Sequence, residues 1–415
     1  MQSLFAEVLK FYLESRDFNG LALRDASQAT LDEAATLVKA GRLEVISTTD
    51  WMNPHIRPWS SGRSLDEQLQ DIADSADDRL VVCLYPTAAA LAEVVQPGLL
   101  ADQPYRRRQA EGGGNLEVAY FRIDVLEAYR NDPRYHFEVS DFGLWVSVTD
   151  AVYEDAEEHE DDKTSIHHVG FAYDMSTFDR DDETTPITRR VCAFLYDLGN
   201  LTPTHQQRWR TYEVPAVDGL QPHPVWRGAQ ILGRWPDGLG PFARLLFELQ
   251  SLNELHRKAF GVDLLKSTER PREFGWILRP SQQEFDAFIH QLDKLLSENL
   301  RHDAFDKAGV PKMDDKGQAI GTLNRLDRLL ERNGLAKDVR REILKPIKDV
   351  RVARQKPAHA LRTNVTDKTF VRRQARLLQD VTASVVSLRE HWQSHPANAG
   401  WSEPEYISNG RHYWL

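Results

Sequence analysis

The chain is short of cysteine and of long apolar runs, and each shortage excludes something. Two cysteines in 415 residues cannot build a disulfide framework. Cys83 and Cys192 stand in strand-like apolar runs, at 81–84 and 191–194, the pattern of buried reduced thiols. Without histidines in register they make no zinc site. No apolar stretch approaches the ~20 residues needed to span a bilayer. The opening Met1-Gln2-Ser3-Leu4-Phe5-Ala6-Glu7 has no basic leader region and meets an acid at once. These absences point to a cytoplasmic protein that has no membrane partner.

A net charge of −11 by itself argues against nucleic acid. Its distribution argues the other way. Residues 336–376 hold 13 bases (among them Arg340, Lys348, Arg351, Arg354, Lys356 and Arg362) against four acids, Asp338, Glu342, Asp349 and Asp367. That stretch carries +9 and the remainder −20. Polyanions respond to local potential rather than to the total, so a segregated basic stretch is the more informative clue.

At about 150 residues per domain the length suggests two or three domains. Hydrophobic periodicity predicts an α+β chain: an N-terminal mixed α+β region with an antiparallel sheet, then an all-α helical bundle. Residues 1–75 read as helices with a short strand and 76–220 as an α+β domain. Residues 221–280, rich in Pro, Gly and Trp, read as a linker with a connecting helix. Residues 281–395 read as four helices and 396–415 as a tail. The bundle opens on a capping box, Ser281-x-x-Glu284. Its third apolar stripe is Val339, Ile343, Ile347 and Val350. Tyr105 to Arg108, followed by Gly112–Gly114, reads as a mobile basic loop; no Lys-Ser/Thr follows the glycines, so it is not a phosphate loop.

The candidate site closes the third bundle helix: Arg351-Val352-Ala353-Arg354-Gln355-Lys356-Pro357-Ala358-His359. Pro357 cannot sit in a helix interior, so the helix stops or kinks just before His359. That break turns the imidazole back toward Arg354. An imidazole titrating near neutral pH moves the protons of RNA cleavage, and a guanidinium holds the phosphate bidentately. Arg351, Gln355, Lys356 and Arg362 are the candidate substrate contacts. The reading requires no metal or cofactor.

Arg-x4-His near the end of a helix in a C-terminal four-helix bundle resembles the HEPN superfamily (higher eukaryotes and prokaryotes nucleotide-binding domain). The resemblance covers about 281–392. It implies a metal-independent endoribonuclease of a defence, toxin or RNA-processing system, with Arg354 and His359 catalytic. It further implies a homodimer with a composite cleft, a 2′,3′-cyclic phosphate product, and a regulatory or antitoxin protein as a further partner. Active members usually carry Asn, Asp or His directly after the arginine, where this chain has Gln355. The rival reading is a non-catalytic RNA-binding or dimerisation protein. Three other groups compete for attention. Arg130 and His136 read as turn chemistry, His391 and His395 as a helix end, and the acidic run 154–162 as a solvated loop in preference to a cation site.

Overall fold

The structure, a computed structural model, describes residues 3–15, 18–58, 62–75, 80–94, 98, 100–174, 176, 187–234, 237–272, 274–358, 363–405 and 411–412, with backbone only for 356–358 and 411–412. It is an α+β chain that includes antiparallel sheet. Two compact units divide it: Met1–Phe137 with Trp145–Ala172 and Arg190–Val217, and Glu138–Leu144 with Tyr173–Arg189 and Asp218–Leu415.

In the first unit, helix Leu4–Glu14 buries Leu4, Val8 and Tyr12, four residues apart along one face. Strand Val82–Pro86 pairs antiparallel with Leu43–Ser47 on one edge and with Leu21–Ala22 on the other. Leu4, Val8, Val38, Val45, Ile72 and Leu84 share one core. A larger sheet, whose strands are not confined to this unit, has seven strands, six of them in the order Tyr135–Val139, Gly143–Val148, Ile166–Asp174, Arg189–Phe194, Val118–Phe121, Glu213–Val214. Cys83 and Cys192 are free and buried.

The expected basic loop is a helix, Pro104–Ala110. Pro104 in its first turn is preset for helical backbone. Tyr105 is 1% exposed, and its hydroxyl donates to Glu213 at 3.1 Å. Arg106 donates to the Leu13 carbonyl, and Arg108 to Glu213 and Glu117. A proline and a buried tyrosine directly ahead of the arginines were the missed signal. Gly112 follows at φ +99°, where a Cβ would also stand 2.9 Å from that of Ala88.

The second unit is mostly helical. Part of the expected linker is itself a helix, Pro224–Leu232, stopped by Gly233 at φ +59°. Helix Pro241–Phe260 begins against Asp141, whose carboxylate accepts the N–H groups of Phe242 (2.8 Å) and Ala243 (3.2 Å). It packs along Phe370–Gln393. Between them lies a charge pair, Arg389 Nε donating to Glu248 at 2.7 Å, the two side chains 4% and 0% exposed. Such a pair is secure only because both charges are matched out of water.

Helix Gln282–Asp293 starts where expected, with the Ser281 hydroxyl accepting the Glu284 N–H at 3.3 Å. The capping box is half formed: Glu284 turns away to accept the N–H of Leu278 at 2.7 Å. A short helix, His302–Lys307, follows without having been expected. Thr322–Arg332, Lys337–Ala358 and Phe370–Gln393 complete the set. The inward stripe of Lys337–Ala358 is Leu344, Ile347 and Val350, joined by Arg340. Val339 is 46% exposed, one position out of phase with that face. Pro346 lies inside this helix and cannot donate to the Glu342 carbonyl, a break that exposed Glu342 can hydrate. Ser384 donates its hydroxyl to the next carbonyl, that of Ile343.

Candidate active site

Two helices build the site. Gln282–Asp293 passes into a π-helical turn, Lys294–Glu298, while its apolar residues Phe288, Ile289, Leu292, Leu295 and Leu296 stay buried. A π turn bonds residues five apart, so it brings side chains at that spacing toward one face. Asp293 and Glu298 have that spacing. Lys337–Ala358 packs against this helix and presents Arg351 and Arg354, three apart and hence neighbours on one face.

The four charges meet. Arg354 Nη1 donates to Asp293 Oδ2 at 2.6 Å and to Glu298 Oε1. Arg351 Nη1 donates to the same Asp293 oxygen at 2.8 Å, to Ser297 Oγ at 3.3 Å and to Glu298 at 3.4 Å. Ser297 Oγ in turn donates to Asp293 Oδ1. Asp293 is 0% exposed and is fixed in place by these three donors. The side chains of Arg351 and Arg354 are 39% and 25% exposed. The hydrogen bond from Arg354, first of several causes, holds the Glu298 carboxyl below its ordinary range, and the same two carboxylates raise Arg354.

Every one of the arginine bonds leaves from Nη1. Among the described residues, Nε and Nη2 of Arg351 and Arg354 make no hydrogen bond. The Nε–Nη2 edge is one of the two forks with which arginine grips a phosphate or carboxylate bidentately. Each arginine is thus anchored at one tip, with its Nε–Nη2 edge not hydrogen-bonded among the described residues.

Beside Arg351 is a cavity of about 360 Å³, lined by Ser297, Thr322, Asn324, Lys348, Arg351 and Gln355 among others. Lys348, Arg351 and Gln355 recur at helical spacing along one wall. His290 stands one turn before Asp293; burial, then the cations Arg354 and Lys294, push its pKa down.

Of the expected site residues, the structure brings Arg351 and Arg354 together and sets Gln355 on the cavity wall. Lys356 and Pro357 lie in the last turn of a helix described to Ala358. His359 and Arg362 lie outside the described residues. Asp293, Ser297 and Glu298 were not singled out in the sequence, and Lys348 was counted in the basic stretch but not named for the site. The five-residue spacing of Asp293 and Glu298 has no meaning until a π turn is known. The basic stretch also gains acids from elsewhere: Arg340 pairs with Asp327 and Glu331 as well.

The competing groups are occupied. The 154–162 run gives Glu158 and Asp162 to Arg134, at 3.2 and 3.3 Å, and Glu160 to Lys163. No group of three or more possible metal ligands occurs among the described residues. Asn131 caps a short helix, and His136 points out of its strand. His391 lies edge-on to Trp392, and His395 accepts the Ala397 N–H. No described helix is long and apolar enough to cross a membrane.

Compared with known proteins, the chain matches no family model, no curated protein and no solved structure.

Proposed function

We propose that the C-terminal helices form a HEPN-like endoribonuclease that cuts RNA without a metal. The observation that carries this reading is the open Nε–Nη2 edge of Arg354, on a helix whose last turn leads directly into His359. Buried Asp293 fixes the guanidinium in advance, so little rotamer entropy remains to be lost when a phosphate arrives. Arg354 binds the scissile phosphodiester and offsets charge developing on its oxygens. His359 handles the protons: the 2′-oxygen attacks phosphorus as its proton leaves, the bond to the 5′-oxygen breaks, and that oxygen is protonated. The products are a 2′,3′-cyclic phosphate and a 5′-hydroxyl. An RNA substrate and reduced thiols suit the cytoplasm. A homodimer would pair two such sites, and a regulatory or antitoxin protein acting with the N-terminal unit would restrain them.

A second reading has its own support. Gln355 follows Arg354 where a titratable or smaller polar residue is usual in active members of that superfamily, and Arg354 Nη1 is held by two carboxylates. On that reading the helices hold RNA and cut nothing. The purified full-length chain, incubated with single-stranded RNA in EDTA, separates the two. The nuclease reading expects cyclic-phosphate ends and a loss of about 10²–10⁴-fold in rate for His359→Ala. Absent cleavage, or cleavage unaltered in that variant, refutes it.

A further inference from the structure

We propose that the cavity beside Arg351 is a second phosphate subsite for single-stranded RNA, holding the phosphodiester next to the one at Arg354. The inference rests on the nuclease reading for the identity of its neighbour and on separate residues for its own chemistry. Lys348, Arg351 and Gln355 line one wall, two cations and an amide. No carboxylate is among the residues that line the cavity. In a chain with 63 acids against 52 bases, that exclusion sets the cavity apart from the average surface.

The donors are available. Arg351 is tied to Asp293 through Nη1, and among the described residues its Nε and Nη2 make no hydrogen bond. Among the described residues Lys348 has one loose partner, Asp327 at 3.5 Å, and it is 37% exposed. An ammonium carries three donors, so that pairing leaves it able to take a phosphate oxygen. The spacing fits two consecutive phosphates: Arg351 and Arg354 are adjacent on one helix face and share an anchor, Asp293. One arginine faces each.

The size selects the strand. A cavity of about 360 Å³ is at the small end of ligand pockets, which run from roughly 300 to 1,000 Å³. It admits one nucleotide unit and not a duplex, whose phosphates stay on a regular rigid helix.

The test uses the full-length chain carrying His359→Ala, which keeps RNA intact, with and without Lys348→Glu. Lys348→Gln serves as the gentler variant, and melting curves check folding. Probes are a fluorescent single-stranded ten-nucleotide RNA, a duplex of the same length, and inorganic phosphate as competitor. Lys348→Glu should weaken single-strand binding about tenfold, and the salt slope should fall by ~0.7, one phosphate contact. Duplex binding should change far less, and millimolar phosphate should compete poorly, because a lone anion fills one of two linked subsites. Unchanged single-strand affinity and slope in both folded Lys348 variants overturn the subsite, as does an equal loss for the duplex. Phosphate competing as strongly as RNA reduces it to a free-anion site and also overturns it. Cleavage by the wild-type chain with unaltered Lys348 variants sinks the subsite alone; salt-sensitive loss in those variants without any cleavage sinks the nuclease alone.

Discussion

Asp293→Asn tests the anchor on which the site geometry depends. The substitution keeps the shape, deletes the charge, and turns one acceptor oxygen into an N–H donor facing guanidinium N–H groups. Asp293 accepts from Arg351, Arg354 and Ser297 and has no access to water. Hydrogen bonds to charged groups contribute about 1.5–3 kcal/mol each. Both guanidiniums are partly exposed and recover some hydration, so each loss is discounted toward the lower value. The expected destabilisation is about 3 kcal/mol, which for a unit of this size lowers its melting temperature by roughly 6–12 °C. Misplacing a positioning group by an ångström costs about 10²-fold in rate, so RNA cleavage should fall to that degree in the folded variant at low temperature. Calorimetry gives the first quantity and single-turnover cleavage the second. Lys345→Ala, which breaks an exposed pair with Asp349 (73% and 56% exposed), is the control, expected within ±0.5 kcal/mol. Equal melting of the two variants would show that Asp293 anchors nothing. A low-melting variant cleaving at full rate would show that the anchor does not orient the arginines.

Two predictions concern stability away from the site. His205 is buried, with Nδ1 against the Tyr129 hydroxyl at 2.7 Å, and burial pushes its pKa down to about 4. Its contribution is complete above the unfolded value near 6.5 and is lost as pH falls toward the folded one, at about 1.4 kcal/mol per pH unit. Urea denaturation of the first unit between pH 7 and pH 4.5 should show that slope, and His205→Gln should remove one proton's share of it; an unchanged slope refutes the assignment. At the buried pair, Arg389→Met strands Glu248 and should cost about 3 kcal/mol, eased by Arg244 at 2.6 Å. The double variant with Glu248→Leu should be more stable than Arg389→Met alone in denaturant melts, and a simple sum of the two losses would contradict the pairing.

What could be read from sequence was what depends on local pattern. The burial of Phe285, Phe288, Ile289 and Leu292 follows from their helical period, and the stop at Asn333–Gly334 from glycine's freedom at φ +89°. The pairing of Leu43–Ser47 with Val82–Pro86 joins two apolar runs each expected as strand. Errors arose where tertiary burial overrode composition. Arginine and glycine made 105–114 look like a loop, yet a buried Tyr105 holds part of it helical. Proline and glycine likewise disguised Pro224–Leu232. In the candidate site the cations were legible because they cluster in sequence. Their carboxylate partners were not, since Asp293 lies 58 and 61 positions from Arg351 and Arg354.

The carboxylates also decide how the charge count should be used. A basic stretch reads as a polyanion site only if its cations stay available after folding, and here Asp293, Glu298, Asp327 and Glu331 fold against it. Full neutralisation would leave a solvated salt-bridge lattice. The distinction lies in which nitrogen is used. A carboxylate gripping Nε and Nη2 together would compete directly with a phosphate for that fork, and binding would have to break it. A carboxylate on Nη1 alone restricts rotation of the guanidinium plane without occupying the fork. Asp293 does this to two arginines at once, from a position closed to water, so the energy that buries it is the energy that orients them. An electropositive surface would attract a polyanion anywhere along the stretch; on the proposed reading, two anchored forks a helical turn apart would specify where its phosphates go.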